Sequence, residues 1–118
     1  MAIHRFTPTT WKNTFGQHEP VLRIASGDTV ITTTVDARGF DLEKNQVAQR
    51  PNPQTGPFFI EDAQPGDTLA VRFDRIRTNR STGWASTSHA EHVVDPDFVP
   101  SLPDTPVIDW DIDVEAGT

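Results

Sequence analysis

The sequence predicts an all-β fold, an antiparallel β-sandwich, and three observations point there. One phrase is written twice: Ile24-Ala25-Ser26-Gly27-Asp28-Thr29-Val30 returns 39 positions later as Ala63-Gln64-Pro65-Gly66-Asp67-Thr68-Leu69. In both copies Gly suits a positive-φ turn, and the following Asp can bond nearby backbone N–H groups before the chain runs on as a strand. Near the C-terminus Ile108, Trp110, Ile112 and Val114 alternate with Asp109, Asp111 and Asp113, the period of a half-buried strand. Proline and glycine punctuate the whole chain, and only residues 42–50 carry a helix-like pattern.

Taken in order, residues 1–20 are mixed, with Trp11 and Phe15 as expected anchors, and His18-Glu19-Pro20 leads into a strand at 21–24. The β-branched run 30–35 is the next strand, broken by Asp36-Ala37-Arg38-Gly39-Phe40-Asp41. Residues 42–50 read as a short helix with a thin apolar face at Leu42 and Val47. Pro51-Asn52-Pro53-Gln54-Thr55-Gly56-Pro57 is a loop, because its prolines remove donors and fix φ. Phe58-Phe59-Ile60 is a short buried strand, and Leu69 to Ile76 alternates clearly enough to be another. Thr78 to Gly83 is turn-rich, and a proline-studded stretch then leads to the strand at 108–114, whose apolar face should be buried and whose aspartates should be solvated.

Length and composition bound the function. A chain of 118 residues is one domain, 1–118, or a piece of one. Its formal net charge of −7 argues against nucleic acid or an anionic membrane as partner. There is no cysteine, so thiolate metal sites, disulfides and Cys nucleophiles are excluded, and the chain reads as cytoplasmic. No apolar stretch has the length of a signal peptide core or a membrane span. No phosphate loop, dinucleotide fingerprint or Gly-x-Ser-x-Gly elbow occurs.

Several side chains could carry chemistry. Asp36 and Asp41 bracket a glycine-containing loop at the end of a β-branched strand, which suits metal ligation or substrate positioning and equally suits turn formation. His89, Glu91, His92, Asp95 and Asp97 form the densest group of potential ligands, but strand alternation would place His92 opposite His89 and Glu91. That group therefore reads as an exposed polar loop. His18 sits where a cleft could form, or in an ordinary loop.

Here the residues resemble a known family. His18-Glu19-Pro20-Val21-Leu22-Arg23-Ile24 with Gly27-Asp28-Thr29-Val30, then Thr33-Thr34-Val35-Asp36-Ala37-Arg38-Gly39, then Asn52-Pro53-Gln54-Thr55-Gly56-Pro57-Phe58-Phe59-Ile60 with Pro65-Gly66-Asp67-Thr68-Leu69, look like the N-terminal half of the acetamidase/formamidase family. The likeness covers residues 15–85 best, Gly83-Trp84 included. It implies hydrolysis of small linear amides to ammonia and a carboxylate, on a β-sandwich assembled as a homo-oligomer with a divalent metal, zinc in at least some members. Carried over position by position, it makes Asp36 the metal or active-site carboxylate and His18 a catalytic candidate. Asn52, Thr55 and Gly56 fall in the loop beside the substrate.

The chain departs from the pattern in one respect. Family members continue into a second half with Gly-Gly-Asn-x-Asp and Gly-Asp-x-His stretches, and neither occurs here. Metal-assisted hydrolysis needs several protein ligands and an open position for water, which Asp36 alone does not supply. The expectation is therefore an incomplete part of a larger amidase fold, its site completed by a companion C-terminal segment or subunit. The rival is a non-enzymatic β-sandwich that keeps the scaffold to bind a small ligand or to act as an oligomer subunit. A metal-dependent barrel built on His89, Glu91 and His92 is a third and poorer fit.

Overall fold

The computed structural model describes residues 1–86, 93–103 and 106–118, and its regular structure is almost entirely β. Among the described residues, eight short strands pair as four two-stranded ladders: β1 (Ile3–Arg5), β2 (Trp11–Lys12), β3 (Leu22–Ile24), β4 (Thr29–Ile31), β5 (Gln54–Thr55), β6 (Phe58–Ile60), β7 (Thr82–Ser86) and β8 (Val107–Asp111). A 3-10 turn spans Val99–Ser101. No helix of the described residues is long and apolar enough to cross a membrane.

The chain divides into two compact units, Met1–Arg72 and Phe73–Thr118. In the first, β1 runs parallel to β4 and β3 parallel to β6, while β2 and β5 are antiparallel. The all-β expectation therefore holds, but the expected purely antiparallel arrangement does not. Parallel pairs need long crossovers, and here the segments between the paired strands supply them. The β1–β4 ladder is extended by Thr29 N–H to Ala2 O (2.9 Å) and Phe6 N–H to Ile31 O (3.0 Å). Val21 N–H to Pro57 O (2.9 Å) and Glu61 N–H to Ile24 O (2.7 Å) do the same for β3–β6. Phe6 and Phe58 meet edge to face at 5.6 Å, linking the flanks of these two ladders. On the solvent side of β3–β6, Arg23 lies 4.0 Å from the ring centre of Phe59 and pairs with Glu61 at 3.0 Å.

Both copies of the repeated turn form as expected. Gly27 and Gly66 take φ of 86° and 98°. In each copy the Asp N–H returns to a carbonyl three residues back, Ala25 or Gln64, while the Asp carboxylate accepts that same residue's N–H. The segments that leave the two turns differ. Thr29–Ile31 becomes β4, shorter than the expected 30–35, whereas the expected strand 69–76 is not one: Leu69, Val71, Phe73 and Ile76 stand 58–78% exposed and join no ladder. Alternation supplied the pattern of a strand, but a strand needs a ladder partner, and 69–76 pairs with none of the described strands.

The expected helix at 42–50 is a turn. The Asp41 carboxylate takes the N–H groups of Glu43 (3.0 Å) and Asn45 (2.8 Å), and Lys44 sits at φ 65°. An aspartate side chain that captures the backbone donors of the next residues competes directly with helix formation. A bridge between Phe40 and Gln46 closes the turn.

In the second unit β7 and β8 form an antiparallel pair from Thr82–Asp111 to Ser86–Val107, extended by Ile112 N–H to Ser81 O at 2.8 Å. Thr82 and Gly83, expected in a loop, thus belong to β7. Gly83 lies against Ile112: a Cβ there would come within 3.1 Å of Ile112 Cδ1. The apolar face of β8 is not buried as expected, with Ile108 45% and Trp110 56% exposed. After β8, Asp113 accepts N–H bonds from Glu115 and Ala116 and closes the terminal turn. Among the described residues of the whole chain no hydrophobic side chain is fully buried.

Candidate functional site

A cleft of about 280 Å³ opens in the first unit, where the β2–β5 pair meets the loop that follows β2. The register sets Lys12 opposite Gln54 and Trp11 opposite Thr55, so the two strands bring residues more than forty positions apart into one wall. Lys12, Thr14, His18, Thr55, Gly56 and Pro57 are among the residues that line it. Phe15 stands at the rim, 95% exposed, so it is not the buried anchor the sequence suggested.

His18 is half-buried, and its position is set locally. Its backbone N–H donates to Gly16 O at 3.0 Å, and its Nε2 lies 3.0 Å from Thr14 Oγ1 and 3.1 Å from Thr14 O. Thr55 is oriented by its hydroxyl, which donates to Thr33 O at 3.0 Å. Gly56 is buried with φ 123°, a conformation that favours glycine, and both Arg50-Pro51 and Gly56-Pro57 are cis. The loop wall is held by Asn13, whose side-chain amide donates to Gln49 O (2.7 Å) and Pro51 O (2.6 Å).

Three of the residues singled out from sequence, His18, Thr55 and Gly56, thus share this cleft. Asn52 does not line it. That residue is exposed at φ 49° and donates its N–H to Ala37 O at 2.9 Å, joining the loop to the Asp36 turn. Asp36 also lies outside the cleft lining. Its Oδ1 accepts the N–H groups of Arg38 (2.9 Å) and Phe40 (3.0 Å), while Gly39 N–H returns to Asp36 O at 2.9 Å. Gly39, at φ 87°, sits so close to the next loop that an added Cβ would overlap the Ala48 carbonyl.

No group of three His, Asp or Glu side chains suited to a metal ion occurs among the described residues. The described residues on their own therefore do not make the zinc centre that the family likeness implies. His89, Glu91 and His92 lie outside the described residues. Asp95 accepts the Asp97 N–H at 2.9 Å, again turn chemistry.

No family model, curated protein or solved structure matches the chain. The site must be read from its own geometry.

Sequence reasoning missed two features. His4 and Asp28 lie 24 positions apart, and His4 Nε2 meets Asp28 Oδ2 at 2.9 Å, while Ala2 N–H donates to Asp28 Oδ1 at 2.6 Å. The Ala2 N–H, the His4 ring and the Ala25 N–H hold the Asp28 carboxyl well below the usual carboxylate range. No local signal marks a pair brought together by parallel strand pairing. The second is Lys12, an ordinary lysine by its sequence neighbours, which the register places in the cleft wall.

Proposed function

We propose that the chain is the substrate-binding part of a hydrolase for small linear amides, with catalysis completed by a companion segment or subunit. The observation that supports this reading most is the convergence of His18, Thr55 and Gly56 on one small cleft. These positions come from two separate stretches of the family-like sequence, and the likeness assigns them to one site.

The cleft suits a small amide in size and chemistry. Hydroxyl and imidazole groups from Thr14, Thr55 and His18 can exchange hydrogen bonds with an amide, and Pro57 and Phe15 offer apolar contact to a short alkyl end. His18 is the candidate to hold or move a proton there, its ring anchored through Nε2 to Thr14. A divalent metal belongs to this reading only with ligands from the companion, and no step is assigned to it. Asp36 shapes the loop that meets Asn52 and is the carboxylate this chain would contribute.

The companion is supported by physical chemistry as well as by the family likeness. A chain that buries no hydrophobic side chain among its described residues, and leaves Leu69, Val71, Phe73 and Ile76 in solvent, lacks the apolar burial that stabilises a domain of this length. Further apolar cover from a companion, or from other copies in a homo-oligomer, would supply it. The non-enzymatic reading is favoured by one observation: the Asp36 oxygen Oδ1 is already engaged in holding a turn.

Native purification separates the two. The expected result is an assembly heavier than the 13.1 kDa chain that releases ammonia from acetamide or formamide. Asp36→Asn keeps an oxygen to accept both backbone N–H groups, so it should preserve the fold while sharply lowering bound metal and turnover. A native assembly without amide turnover would leave the chain a ligand-binding module, and an Asp36→Asn form with full metal and full activity would reduce Asp36 to turn chemistry.

A further inference from the structure

We infer that the cleft is an anion subsite that holds a short-chain carboxylate, with the Lys12 ammonium as its counter-ion. The chain carries a net charge of −7, yet no aspartate or glutamate lines this cleft, whereas a lysine and a histidine do. A locally cationic recess in an acidic protein selects anions over neutral ligands of the same shape.

Lys12 is suited to that role. It is half-buried on β2, fixed opposite Gln54, and among the described residues it has no ion-pair partner. An ammonium partly withdrawn from water without a counter-charge is better satisfied by a bound carboxylate than by solvent alone. The hydroxyl of Thr14 adds a donor to the lining, and the exposed Phe15 ring and Pro57 give the ligand's alkyl end a surface to cover. The cavity, about 280 Å³, sits just under the roughly 300–1,000 Å³ of pockets that take drug-sized molecules, so the ligand is small.

The inference uses the cleft of the proposed function and rests on that reading only for the source of the anion, the carboxylate released when an amide is cleaved. Binding itself needs no turnover, so the two fail separately.

The test is a titration of the full chain, in its native assembly, with sodium propionate and with the neutral isostere propionamide, followed by amide chemical shifts and calorimetry. Propionate should bind more tightly than propionamide, with shifts concentrated at residues 12–18 and 54–57. Lys12→Met should weaken propionate by about tenfold or more, as loss of a charge-assisted contact does, and leave propionamide within about twofold. Lys12→Arg, which retains the charge, should keep most of the propionate affinity and also shows that position 12 tolerates change. Equal affinity for the two ligands, shifts spread elsewhere, or a Lys12→Met form that binds propionate unchanged would each overturn the inference. Propionate binding without ammonia release would retain the subsite and remove the amide as its source.

Discussion

The Gly27-Asp28 and Gly66-Asp67 turns are built alike, and the chain that leaves them is not. After the first, Thr29–Ile31 pairs with β1, Asp28 gathers Ala2, His4 and Ala25, and the loops beyond lock through Gly39, Asn52 and Thr55. After the second, every residue from 67 to 79 is exposed, and Asp67 holds the Gln64 N–H of its own turn. A turn is fixed by four or five residues, and like phrases give like turns. A strand is fixed by a neighbour, and among the described residues only the first copy leads into a paired ladder.

The largest expected effect probes the locked side. Gly39→Ala would place a Cβ against the Ala48 carbonyl, a backbone atom that cannot swing aside, at a φ of 87° that already disfavours alanine. The overlap and the strain together should cost at least ~3 kcal/mol or prevent folding of the first unit. Denaturant unfolding of the variant measures it. A loss under about 1 kcal/mol would mean that the loops around residues 36–48 are not tied as the structure shows.

Next comes a matched pair. Gly27→Ala and Gly66→Ala both meet open space and both impose a positive φ on alanine, so the local strain is about 1–2 kcal/mol at either site. At position 27 that strain should lower the stability of the β1–β4 ladder in full. At position 66, with no ladder behind it, the strain should relax locally and leave the unfolding midpoint nearly unchanged. Equal losses at the two positions would show that residues 69–76 are coupled to the rest after all.

This contrast also explains what the sequence made legible. Turns were readable because their causes are local: glycine at positive φ and aspartate on nearby N–H groups mark Asp28, Asp36 and Asp67, and the same chemistry recurs at Asp41, Asp95 and Asp113 where the sequence was read otherwise. The same chemistry misled where Asp41 replaced an expected helix by a turn. Strand 22–24 and strand 58–60 were readable as apolar runs, but that they pair in parallel was not, since register depends on segments far apart. Of the cleft lining, His18, Thr55 and Gly56 were legible. Lys12 was not, because nothing in its neighbours marks it before β2 and β5 meet.

Acid tests the latch that Asp28 forms with β1. Asp28 has its folded pKa lowered by the Ala2 N–H, His4 and the Ala25 N–H, so the unfolded chain binds its proton first as pH falls. The stabilisation from Asp28 is therefore fully present above the unfolded value of about 3.9 and is lost progressively as the pH drops below it toward the lower folded value. The stability gap between the native chain and Asp28→Asn should be constant near neutrality and shrink below about pH 4. Amide exchange at residues 3–6 should quicken over the same range. A gap that does not change with pH would detach Asp28 from the β1 latch.

The smallest effect on stability is expected where the sequence pattern is strongest. Val71→Thr and Phe73→Ser replace side chains that are 72% and 76% exposed, so little apolar area returns to water when the chain unfolds. Each change should stay within about 0.5 kcal/mol for the chain alone. If the alternating run 69–76 is the strand a companion covers, the same substitutions should weaken the native assembly at dilutions where the parent chain remains associated, seen as a lower sedimentation coefficient. Stability and association then move apart, which is the signature of an apolar row that acts between chains. A loss of more than about 1.5 kcal/mol in the chain alone would instead place these side chains in an internal core and remove the difference between the two turns.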